Sequence, residues 1–183
     1  MAANDWVKLF NDDPRGTAAA GLTVNTFTTA ADTTKLFPNL VFPQNYFQTG
    51  RVIQYQARGT YGTTGSPTYT FTLQFRVGTV VTLVTSAAIT AGTTQTNMPW
   101  CLTFDIKCVT EGVTGTLQAQ GDGYFGLTTT TQSNFFIPAA GTALATATVD
   151  TTIAQTLNLE VACSASSASN TVTGQVLKVL SIN

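Results

Sequence analysis

Between Thr68 and Val77 the chain alternates without a break. Tyr69, Phe71, Leu73, Phe75 and Val77 are apolar, and Thr68, Thr70, Thr72, Gln74 and Arg76 between them are polar. Successive side chains of a strand point to opposite faces, so this pattern lays one apolar row on a core and turns threonines to water. A helix, at 3.6 residues per turn, would scatter both sets. The same period recurs elsewhere. Ile53, Tyr55 and Ala57 oppose Val52, Gln54, Gln56 and Arg58; Trp100, Leu102, Phe104, Ile106 and Cys108 oppose Cys101, Thr103, Asp105, Lys107 and Val109; Leu157, Leu159, Val161 and Cys163 oppose Asn158, Glu160 and Ala162. Turn signals separate the runs: Gly62 to Pro67, Gly78, Glu111-Gly112 and the small residues from Ser164 to Asn170.

Composition agrees with strands. Charged residues are 9% of the 183-residue chain, against roughly 25% in an ordinary soluble domain. The polar face must therefore be neutral, and threonine, about one residue in five, fits a pleated solvated surface better than a helix. The expected fold is all-β, an antiparallel jelly-roll sandwich of about eight strands. Residues 1–21 are expected to form an extended N-terminal arm and residues 22–183 the domain.

The arm differs from the rest. Asp12-Asp13-Pro14-Arg15-Gly16 is a breaker cluster. Ahead of it, Trp6, Val7, Leu9 and Phe10 fit a single helical turn capped by Asn4 or Asp5, and they are too apolar to wave in water. They require a partner, either another protein or their own domain. A second apolar stretch, Leu36 to Phe47, is interrupted by Pro38 and Pro43, which cannot donate to a central ladder. It reads as an irregular strap closing one end of the domain, with an exposed contact loop as the alternative. A third feature is Phe135-Phe136, two adjacent aromatic residues in a strand. The period of two turns them to opposite faces, so one is a candidate interface residue.

Several classes of chemistry find no support. A net charge of −1 with scattered basic residues gives no footprint for nucleic acid. No apolar run approaches the roughly 20 residues of a transmembrane helix, and no basic lead with an apolar run of a secretory signal precedes Trp6. Folding in a cytosol is expected, and three irregularly spaced cysteines do not read as a disulfide framework. Cys101 and Cys108 lie seven apart in one strand and face opposite sides, while Cys108 and Cys163 read as small buried hydrophobes. The chain has no histidine, the commonest general base and metal ligand. Asp105 and Lys107 read as a solvated pair, and Asp122 among glycines is too sparse a donor set for a calcium loop. No catalytic, metal or cofactor site is expected.

The segments Phe47-Gln48-Thr49-Gly50-Arg51-Val52-Ile53, Ala57-Arg58-Gly59-Thr60 and Ser66-Pro67-Thr68-Tyr69-Thr70-Phe71 resemble a family of small jelly-roll structural proteins of tailed bacteriophages. Trp100 opening a strand, Val149-Asp150-Thr151-Thr152, and Ser164 to Asn170 before the last strand extend the resemblance over residues 36–183. It implies a capsid decoration or cement protein, a homotrimer bound to the major capsid protein on the outer face of an HK97-type shell. Related jelly rolls in tails imply the alternative, a receptor- or glycan-binding module, for which Tyr61, Tyr124 and Asp122 are candidates. On the decoration reading, Trp6, Val7, Leu9, Phe10, Phe135 and Phe136 are the expected interface residues.

Overall fold

A computed structural model describes residues 7–12, 22–24, 36–37, 40–77, 79–128, 130–138, 143–144, 146–165, 167 and 169–182. Among these residues the protein is all-β and every strand pairing is antiparallel. The strands are β1 (Val7–Asp12), β2 (Leu22–Val24), β3 (Leu40–Phe42), β4 (Val52–Gly62), β5 (Thr68–Val77), β6 (Thr79–Thr85), β7 (Ile89–Thr90), β8 (Met98–Thr110), β9 (Thr116–Gly126), β10 (Gln132–Ile137), β11 (Thr146–Thr148), β12 (Gln155–Cys163) and β13 (Thr171–Ser181). No helix among the described residues is long and apolar enough to cross a membrane.

The strands form two sheets. The larger runs β1-β13-β4-β8-β9-β10, with β2 also on β13 and β11 also on β9; the smaller runs β3-β12-β5-β6, with β7 also on β5. Thirteen described strands exceed the expected eight. Four of them (β2, β3, β7 and β11) have three residues or fewer, too few for an alternating pattern to register.

One core joins the sheets. The inward rows are those the alternation implies: Ile53, Tyr55 and Ala57 from β4, Trp100 to Cys108 at even positions of β8, and Leu157, Leu159 and Val161 from β12 are all buried. Across the gap, the Tyr69 ring of the smaller sheet lies 5.7 Å from Phe125 and 6.0 Å from Tyr61 of the larger. Each such ring, removed from water, contributes on the order of 1.5–3 kcal/mol. Trp100 is both buried and satisfied, because its indole N–H donates to the Thr173 carbonyl at 3.1 Å. The indole passes over Gly59, where a Cβ would stand 2.9 Å from Nε1 and 1.8 Å from the Thr173 oxygen. Only glycine fits there.

Two expectations need correction. Residues 7–12 are not a helical turn: β1 is a strand paired with the last strand, Val7 opposite Ser181 and Asp12 opposite Leu177, with a bulge between Lys8 and Phe10. The reason is non-local, since β13 leaves a row of backbone groups open on the side away from β4, and an extended segment satisfies them. Second, Asn158, expected on a wet face, is 3% exposed. Strand β9 runs on through the glycines from 121 to 126. The turn at Gly78 lies outside the described residues.

The turns that carried the family resemblance act as staples. Thr151 accepts from the Gly112 N–H at 2.8 Å, and its own N–H donates to the Gly112 carbonyl at 3.0 Å. Asp150 receives the Thr152 N–H and hydroxyl at 2.9 and 2.6 Å, a local turn built from a side chain. At the opposite end Asn170 accepts from the Thr64 N–H and donates to the Ala165 carbonyl, both at 2.9 Å.

Candidate interaction surface

The strand period divides Phe135 from Phe136. Phe135 is buried, its ring 6.3 Å from Phe125. It occupies space left by Gly123, where a Cβ would stand 2.4 Å from Phe135 Cζ. Phe136 is 61% exposed on the other face. Strand β10 ends the path of the larger sheet, so Phe136 stands at both an edge and an open face.

That open face can be read row by row from the registers. In one row Phe136 is opposite Asp122, then Thr103, Gln56, Lys178 and Asn11. In the next, Asn134 is opposite Tyr124, then Cys101, Arg58 and Val176. Arg58 and Lys178 thus lie on β4 and β13, and Asp105 and Asp122 on β8 and β9, where Lys107 of β8 is a further cation on the same face. Asp105 does not pair with Lys107 as expected; its Oδ1 accepts from Gln54 Nε2 at 3.3 Å, and Gln54 Oε1 accepts from Gln56 at 2.8 Å.

A bulge between Gly174 and Val176 breaks the β13–β4 ladder. It leaves Gln175 and Val176 consecutively exposed, Val176 at 48%. An open cavity of about 270 Å³ results, lined by Gln56, Arg58, Val176 and Lys178. Neither cation has a carboxylate partner among the described residues. The sequence carried only one hint of this, the apolar residues on both faces of the last strand; the bulge that opens the cavity has no signature of its own.

The strap takes the opposite course. Leu36, Phe37, Leu40, Phe42 and Phe47 are all buried, and β3 within it pairs with β12. Phe42 and Phe47 lie 4.9 Å apart, with Tyr46 at 5.0 and 5.4 Å from them. Arg51 covers the Tyr46 ring at 4.7 Å and donates to the Tyr46 carbonyl. Among the described residues the buried Tyr46 hydroxyl has no hydrogen-bond partner.

Of the other candidate residues, Trp6 lies outside the described residues, and Val7, Leu9 and Phe10 fall on β1 at the far edge of the same sheet from Phe136. The glycan trio does not assemble. Tyr61 is 1% exposed in the core and donates to the Gly126 carbonyl, while Asp122 and Tyr124 sit together on the open face. Parity along β4 already places Tyr61 with Ile53 and Tyr55. Among the described residues no three Cys, Asp or Glu side chains gather to hold a metal. Cys108 is buried and Cys163 only half-buried. Burial pushes both thiols above their ordinary 9.0, which keeps them protonated and poorly nucleophilic at neutral pH. Family models, curated proteins and solved structures were all compared with this chain, and none matches.

Proposed function

We propose that this protein is a non-catalytic structural component of a tailed-phage virion, a decoration protein that binds the major capsid protein on the outer face of an HK97-type shell. The observation that carries the reading is strand order. Eight of the strands, taken in chain order as β2, β3, β4, β5, β6, β8, β12 and β13, distribute as β2-β13-β4-β8 in one sheet and β3-β12-β5-β6 in the other. That alternation between sheets supports a jelly-roll reading, in which two Greek keys are rolled together. The hairpin of β9 and β10 widens the first sheet beyond it.

The neutral surface and the absence of histidine from the sequence fit a part that adds contacts and performs no chemistry. A shell strained by packed DNA fails at contacts between capsomers. A protein that binds only the assembled lattice stabilises it by mass action. A ring of three copies, closed by heterologous contacts, would match a local threefold axis of such a lattice. Phe136 and the head of the chain, Trp6, Val7, Leu9 and Phe10, are the contact groups assigned here; Phe135 supports Phe136 from within the core.

The test is co-sedimentation of the purified chain with expanded phage shells. Saturable binding that delays thermal rupture of the shells, weakened by Phe136→Ala, is the expected result. No binding to shells, with binding to a glycan array instead, would favour the alternative of a tail-associated receptor module, for which Asp122 and Tyr124 remain adjacent.

A further inference from the structure

On the open face of the larger sheet Arg58 and Lys178 stand on β4 and β13 and Asp105 and Asp122 on β8 and β9, with Lys107 beside Asp105, and the row that holds Asp122 and Lys178 is self-complementary. Lys178 and Arg58 lie on β13 and β4; Asp122 lies on β9, in the same row as Lys178. Consider two copies stacked on this face about a twofold axis parallel to the strands and midway between β4 and β8. Rows are preserved and strand order is reversed, so β9 of one copy covers β13 of the other. Asp122 then falls on Lys178, and Tyr124 falls on the exposed Val176. Thr103 and Cys101 fall on Gln56 and Arg58, which completes the cover of the cavity.

The other twofold in the plane of this face, at right angles to the strands, would lay the β8–β9 half, with Asp105 and Asp122 against Lys107, on itself and the half that holds Arg58 and Lys178 on itself. Like charges opposed across an interface are destabilising. Charge therefore selects one axis. Both halves lie on one face, so a copy that offers one half offers the other, and the contact closes as a pair.

We propose that this face is an isologous interface between two copies of this chain, with the Asp122–Tyr124 corner of each filling the cavity formed by Gln56, Arg58, Val176 and Lys178 in the other. The occupant is argued from charge complementarity and matching rows. A mobile solvent layer over a neutral face would need neither two cations at a cavity with no carboxylate partner among the described residues nor an acid with aromatic neighbours at the matching position. The inference does not rest on the capsid reading.

Sedimentation equilibrium on the full chain tests it. A dimer is expected at tens of micromolar, on the order of the weaker transient interfaces, and weaker at high salt. Asp122→Lys and Lys178→Asp should each loosen the pair at least about tenfold. The double exchange, which restores both pairs with reversed sign, should recover the wild-type constant to within about threefold. A second variant is independent of affinity. Asp122→Cys with Lys178→Cys places thiols three strands apart within a chain, about 14 Å and too far to bridge, but opposed between copies. Oxidation should give a covalent dimer. A monomer, or a trimer indifferent to both single exchanges, would overturn the pairing and leave the capsid reading standing. Loss of shell binding with the dimer intact would do the reverse.

Discussion

The strap from Leu36 to Phe47 and the edge strand β10 carry similar aromatic density and meet opposite fates. In the strap, Phe42 and Phe47 are each 2% exposed. In β10, adjacent rings are separated, one buried and one 61% exposed. The difference is conformational. An irregular segment, held by bonds such as Tyr46 N–H to the Pro43 carbonyl and Asn45 N–H to the Thr151 carbonyl, can pack the adjacent rings of Tyr46 and Phe47 against the core together, while Val41, on the short strand β3, is left 60% exposed. A strand cannot, because pleating assigns alternate residues to alternate faces whatever their chemistry. Exposed aromatic surface at β10 is therefore a consequence of strand geometry, whereas the strap's aromatic rings are absorbed by the core.

The largest expected effect tests the strap. Phe47→Ala should lower unfolding free energy by about 3–5 kcal/mol, as truncation of a fully buried ring usually does, measured by denaturant titration. A loss below about 1 kcal/mol would mean that the strap is a contact loop after all. Next is the seat of β10. Gly123→Ala pushes a Cβ to 2.4 Å from the Phe135 ring and 2.5 Å from the Cys101 carbonyl, and should lower stability by about 1–3 kcal/mol through overpacking. Pairing it with Phe135→Leu should recover part of that loss, since a shorter side chain relieves the clash. Smaller again is Arg51→Lys, which keeps the charge but loses the planar fork over Tyr46; a decrease of about 1 kcal/mol is expected.

How much of this was legible beforehand follows from the same geometry. Long alternating strands announce themselves: the inward residues of β4, β8 and β12 follow from parity alone. What escaped depends on groups distant in sequence. β1 is a strand because β13 has an open edge, and nothing in Val7 to Asp12 records that. β9 continues through its glycines because Phe104 and Phe135 occupy the space a Cβ would take, which makes the glycines packing residues where local preference reads a loop. The cavity beside Lys178 depends on a one-residue bulge. Phe136 was legible as one of a pair, and its outward side is fixed by the burial of its neighbour.

The smallest expected effect on stability completes the comparison. Phe136→Ala should change unfolding free energy by less than about 0.5 kcal/mol, because its ring is already in water, while weakening attachment to the shell. An equal loss of stability from Phe47→Ala and Phe136→Ala would erase the distinction between the two regions.

The most direct measurement is a reconstruction of particles that carry the protein, with this chain located in the map. The account predicts a small all-β density on the outer surface of the head, bridging neighbouring capsid subunits, with the β10 edge and Phe136 against them. Density at the tail tip, or a protein missing from purified particles, would contradict it.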